Sequence, residues 1–177
     1  MNSKQIEQYF MFLGQKLDEI KIKASVILLG GALMVTQIGN RKSTQDIDVV
    51  IATNDRHTYQ AIQSAVQLVA KEKNLSPSWL NDDVTIIVDQ IGKPKAPRQW
   101  KTFSNLTVYI PEFEYMLALK LFSGRPQDDR DIRALAQRLQ IHTKTQAWSI
   151  VNTYIPFNQL SMRNQYTTQA IDRCFTQ

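Results

Sequence analysis

Apolar residues recur at Ile6, Phe10, Leu13, Leu17 and Ile20, a spacing of three and four that predicts an amphipathic helix over residues 3–21 with Ser3 as its N-cap. The pattern then changes. Ala24–Leu29 is an unbroken apolar run closed by Gly30-Gly31, which predicts a buried strand entering a tight turn, and residues 32–38 read as a short helix leaving it. A polar loop over residues 39–45 precedes Ile47, Val49, Val50 and Ile51, a second strand. Tyr59, Ile62, Val66 and Val69/Ala70 form the apolar stripe of a helix over residues 55–73, capped by Asn54 or Asp55. After the break at Leu75-Ser76-Pro77, the β-branched run 84–88 predicts a strand. Residues 91–104 read as a basic Gly/Pro loop, and 106–110 as a further strand.

Beyond Pro111 the periodicity is helical throughout. Helices are expected over 113–122 (starting near Pro111), 128–140, 143–154 and 161–175. The chain therefore divides into an α/β portion, residues 1–110, and a helical extension, residues 111–177, packed as one compact unit.

The 177 residues carry 21 Lys and Arg against 16 Asp and Glu, a formal charge of +5. The distribution says more than the total. Lys93, Lys95, Arg98 and Lys101 lie in a stretch without acids, whereas acids cluster at Asp46/Asp48, Asp82/Asp83 and Asp128/Asp129/Asp131. Such separation suits a carboxylate-and-metal site flanked by positive surface, or simply a solvated exterior. Cys174 is the single cysteine, which excludes an internal disulfide framework and fits a cytoplasmic protein. No run approaches the roughly 18 apolar residues of a membrane span, and residues 1–9 do not read as a signal peptide. His57 and His142 lack neighbours at metal-ligand spacing. Trp79, Trp100 and Trp148 read as packing anchors, and Trp100, inside the basic loop, could also stack on single-stranded nucleic acid.

The chemistry-bearing stretch runs from Gly30-Gly31 to Arg41-Lys42-Ser43-Thr44-Gln45-Asp46-Ile47-Asp48. Two glycines after a strand let backbone N–H groups approach an anion without a Cβ in the way. Asp46 and Asp48, alternating with Ile47 and Val49, fall on one face of a strand, roughly 7 Å apart at Cα. Their repulsion becomes attraction when a divalent cation lies between them, and Mg²⁺ accepts a few carboxylates together with substrate phosphates.

This combination resembles the nucleotidyltransferase superfamily that includes DNA polymerase β, with its strand, Gly-Gly or Gly-Ser, and Asp-x-Asp on the next strand. Residues 115–135, from Tyr115 through Lys120, Arg125, Asp128 and Asp131 to Leu135, are similar to the LLAxKxxAxRxxDxxDI segment of minimal bacterial nucleotidyltransferases, from which Met116 and Ser123 depart. Those proteins are similar to the toxins of type IV abortive-infection toxin–antitoxin pairs. The resemblance implies a nucleotidyltransferase core, a short mixed sheet flanked by helices, and transfer of a nucleoside monophosphate from an NTP. Asp46 and Asp48 would hold Mg²⁺ or Mn²⁺. Gly30, Gly31, Ser43, Thr44 and Lys120 would hold phosphates. Arg125 would anchor phosphate or pair with an acid, and Asp128 and Asp131 would support catalysis. These last two also read as first-turn acids or as partners of Arg125 and Arg133. The acceptor would be RNA, such as the tRNA acceptor end, or a protein, with a cognate antitoxin as a further partner and no membrane involved.

The superfamily carries a third carboxylate on a later strand. The candidates here are Asp83, entering the strand expected at 84–88, and Asp89, leaving it. The shortage of a clear third acid supports a rival class, a non-catalytic module acting as antitoxin or nucleotide sensor. A small-molecule, antibiotic-type nucleotidyltransferase would require an acidic acceptor pocket, which the basic C-terminal half does not suggest.

Overall fold

The computed structural model describes residues 1–175; Thr176 and Gln177, the end of the expected extension, lie outside the described residues. The chain forms two compact units. The first comprises residues 1–85 and 97–111, the second residues 86–96 and 112–177.

In the first unit, a five-stranded mixed sheet is built from β1 (Ala24–Leu28), β2 (Ile47–Ile51), β3 (Leu80–Asn81), β4 (Arg98–Phe103) and β5 (Leu106–Ile110), in the spatial order β3-β2-β1-β5-β4. β1 runs antiparallel to β2 and parallel to β5, and β3 lies parallel to β2. The central strands are the apolar runs, as expected of strands covered on both faces. Val26, Leu28, Ile47, Val49, Leu106 and Val108 are buried without remainder. Helix α1 (Ser3–Glu19) turns Ile6, Phe10, Leu13 and Leu17 into this core. Its cap is Asn2 and not Ser3: Asn2 Oδ1 accepts the Gln5 N–H while Gln5 Oε1 accepts the Asn2 N–H, a reciprocal pair that satisfies two orphan donors. Helix α3 (Arg56–Lys73) is capped by Asp55, whose carboxylate takes the His57 and Thr58 N–H groups.

Two readings, a loop and a strand, are overturned. The basic loop contains β4, which forms a hairpin with β5 through Ser104-Asn105. Being an edge strand, β4 exposes five of its six residues at least partly, so it carries no apolar alternation. Its Trp100 is half-buried and packs against Phe10 and Phe103. The strand expected over 84–88 is instead helix α4 (Thr85–Ile91). Asn81 Oδ1 accepts the Asp83 N–H and the Thr85 N–H reaches Asp82 O, and these two turns bend the chain out of the sheet just as the β-branched run begins. The short helix after the glycines is one turn, α2 (Gly30–Leu33), continued by a π-helical turn over Met34–Ile38.

The second unit is helical. Eight consecutive residues of α5 (Phe113–Ser123), Tyr115 to Phe122, are buried, so the helix is enclosed on all sides rather than amphipathic. It starts after Glu112 and not at Pro111. Helices α6 (Asp129–Leu139), α7 (Lys144–Tyr154) and α8 (Phe157–Cys174) surround it, α6 being entered through a 3₁₀ turn at Pro126–Asp128. Thr143 and Gln146 form a capping box at the head of α7.

Candidate functional site

The turn that ends β1 carries the clearest geometry. Leu29 is still extended, and its N–H donates to Asp48 O at 2.9 Å, so β2 accompanies β1 to its last residue. Gly30 then adopts φ +57°, the left-handed region that a glycine enters without strain. A Cβ at Gly30 would lie 1.8 Å from Asp48 Oδ2, and one at Gly31 would lie 2.5 Å from Thr44 Oγ1 and 3.9 Å from Arg41 Nη1. A Cβ at either place would force Asp48 or Thr44 to move. The two glycines thus let a carboxylate and a hydroxyl close upon the backbone at the start of α2, where a helix leaves its leading N–H groups without intrahelical partners, and the Arg41 guanidinium lies just beyond.

Thr44 is held there by the chain's first residue. Its N–H donates to Met1 O at 2.9 Å, and the Met1 nitrogen donates in return to Thr44 O. Nothing in the hydrophobic pattern signals this clamp, because it is made by backbone groups 43 positions apart.

The other predicted residues of this region are placed less uniformly. Asp46 stands in a bend just before β2 and not on the strand. It is half-buried and has no hydrogen-bond or ion-pair partner among the described residues. Ser43 is exposed. Asp83 lies exposed in a turn and Asp89 exposed on α4, so neither sits on a strand. The side chain registered beside Asp48 on β3 is Asn81. Asp82 is committed to α3, where the Tyr59 hydroxyl donates to it at 2.9 Å and Gln63 Nε2 at 3.3 Å; that hydrogen bond and burial hold the Tyr59 phenol above its usual range.

Among the described residues, no three His, Cys, Asp or Glu side chains gather as a complete metal cage. Asp48 leaning on the glycine turn and an unpartnered Asp46 fit a cation that takes one or two carboxylates and completes its shell with water and phosphate, the habit of Mg²⁺.

Lys120, Asp128 and Asp131 come together in the second unit. Lys120 Nζ lies 2.7 Å from Asp128 Oδ1 and 2.8 Å from Asp131 Oδ2, with Lys120 7% and Asp131 0% exposed. The Ser123 hydroxyl donates to Lys120 O at 2.8 Å and lies 3.5 Å from Asp128 Oδ2. A phosphate reaching Lys120 would have to displace one of these carboxylates from a buried ammonium. The turn between α5 and α6 is fastened further by arginines: Arg173 pairs with both oxygens of Asp129 at 2.9 and 3.0 Å and donates to Gly124 O, and Arg163 donates to Ser123 O. The hydrogen bond that Arg173 donates to Asp129 raises the Arg173 pKa. Arg125 points into solvent without an ion-pair partner among the described residues. His57 and His142 are exposed, and burial raises the Cys174 thiol to about 11.

A mixed sheet whose first strand ends in a glycine turn closed by Asp48 of the second strand defines a nucleotidyltransferase-like core. Over residues 5–171 the sequence matches the family described as nucleotidyltransferase of unknown function (DUF6036), and the chain belongs to that family. No curated protein and no solved structure matches it. Among the described residues, no helix is long and apolar enough to cross a membrane.

Proposed function

We propose that the protein is a metal-dependent nucleotidyltransferase that receives an NTP at the Gly30-Gly31 turn and moves its nucleoside monophosphate to an acceptor nucleophile. The observation that carries this reading is the contact of Asp48 with Gly30 and of Thr44 with Gly31, which gathers carboxylate, hydroxyl and bare backbone at one point. Asp46 and Asp48 would hold Mg²⁺ or Mn²⁺, and the bound cation supplies neutralisation of phosphate charge as pyrophosphate leaves. Gly30, Gly31 and Thr44 orient the triphosphate through backbone N–H and hydroxyl donors, and Arg41 adds a fixed positive charge. The resemblance to abortive-infection toxins favours RNA, such as the tRNA acceptor end, or a protein side chain as acceptor, and an antitoxin as partner. We assign Lys120, Asp128 and Asp131 to holding α5 against α6, because each Lys120 contact is to a carboxylate of its own unit.

The test is transfer of label from α-labelled NTPs into total RNA and total protein with Mg²⁺ present. Wild-type protein is expected to label one acceptor class, and Asp46→Ala and Asp48→Ala to abolish it with circular dichroism unchanged. Equal labelling by all three refutes the proposal. A second reading, a nucleotide-binding module without turnover, is favoured by the amide of Asn81 beside Asp48. Magnesium-dependent NTP binding without labelled product would select it.

A further inference from the structure

β3 is two residues long, and its register sets Leu80 beside Ile47 and Asn81 beside Asp48. Ile47 and Leu80 are both buried in the core, so the alternation of a strand sends Asp48 and Asn81 together to the opposite face, on strands roughly 4.8 Å apart. Both are half-buried. Asn81 Oδ1 is turned back to accept the Asp83 N–H at 3.2 Å, and its Nδ2 has no partner among the described residues. The neighbouring acid, Asp82, is held by Tyr59 and Gln63. Thus the side chain registered beside Asp48 on β3 is a neutral amide whose N–H donors have no partner among the described residues.

We infer that Asn81 is a residue of the nucleotide site: Nδ2 donates to a triphosphate oxygen, and the neutral amide restricts the protein's metal-binding carboxylates to Asp46 and Asp48, so that the complex holds one divalent cation. This rests on the nucleotide-binding reading above. Two carboxylates balance the charge of one such ion. A second ion about 4 Å away repels the first and needs a further anionic ligand. An aspartate at position 81 would supply it, since adjacent carboxylates on neighbouring strands repel until a cation lies between them.

The experiment counts Mn²⁺ bound per protein–nucleotide complex by electron paramagnetic resonance, using the four α,β-methylene nucleoside triphosphates in turn, for wild type, Asn81→Asp and Asn81→Ala. Asn81→Asp keeps an oxygen for the Asp83 N–H and so preserves the turn into α4. The expected counts are one for wild type, two for Asn81→Asp and one for Asn81→Ala. Nucleotide affinity of Asn81→Ala should fall by about tenfold, the loss of one hydrogen bond to a charged acceptor. A wild-type count of two, an Asn81→Asp count of one, or an undiminished affinity of Asn81→Ala each overturns the inference and leaves the nucleotide reading standing. Failure of wild type to bind any of the four overturns both.

Discussion

Substituting Gly30 by alanine separates two effects that the structure allows to be measured apart. Holding an alanine at φ +57° costs about 1 kcal/mol, the ordinary penalty of the left-handed region. The added methyl would also stand 1.8 Å from Asp48 Oδ2 and 2.7 Å from Cγ, where van der Waals contact begins near 3.4 Å, so the carboxylate must rotate away. Overpacking of that kind costs about 1–3 kcal/mol. Gly30→Ala should therefore lose about 2–4 kcal/mol. Gly39 is the control. It has φ +75° with nothing within 4 Å of its would-be Cβ, so Gly39→Ala should lose only about 1 kcal/mol. Urea unfolding followed by the fluorescence of Trp79, buried in the same unit, reports both losses. In the double variant Gly30→Ala/Asp48→Ala the two nearest clashing atoms are gone and only Asp48 Cβ, at 3.0 Å, remains. The two changes should then couple favourably by about 1 kcal/mol or more. Equal losses at Gly30 and Gly39, or strict additivity in the double variant, would refute the placement of Asp48 on the turn.

Other consequences follow from the second unit. Lys120→Met leaves Asp128 and Asp131 facing each other without their ammonium, and thermal unfolding should show a loss of about 3–5 kcal/mol, against little change for a surface lysine such as Lys4. Arg173→Ala removes the fork onto Asp129 and the bond to Gly124 O, and denaturant unfolding should register about 1.5–3 kcal/mol. With its thiol raised to about 11 from 9.0, Cys174 at pH 8 presents about a hundredfold less thiolate than in the unfolded chain. Iodoacetamide should therefore label the native protein slowly, accelerate as pH rises toward 11, and label urea-unfolded protein fast; equal rates in both states would contradict its burial.

What the sequence made legible were the elements that carry their own periodicity. β1, β2 and β5 are apolar runs, and α1, α3 and α7 have spaced stripes with capping residues close to their heads. β3 was beyond reach because two residues hold no pattern, and β4 because an edge strand of Arg98, Gln99, Trp100, Lys101 and Thr102 reads as loop. The β-branched run before Val88 was misleading: strand propensity yields where an Asn81 side chain and two tight turns have already set the chain's direction. At the site, glycines and aspartates were readable by type and spacing. That Asp48, and not Asp46, lies on the turn is a matter of strand register, as is the pairing of Asp48 with Asn81. The partners of Lys120 could have been foreseen from Asp128 and Asp131 in the turn that follows its helix, since a buried lysine requires carboxylates.

The most direct test of the account is equilibrium dialysis of α,β-methylene nucleoside triphosphates against wild type and Asp48→Asn, with Mg²⁺ and with chelator. A site made by Asp48 and the glycine turn predicts binding by wild type that needs Mg²⁺ and falls at least tenfold in the variant. Equal affinity of the two proteins, or binding indifferent to Mg²⁺, would contradict it.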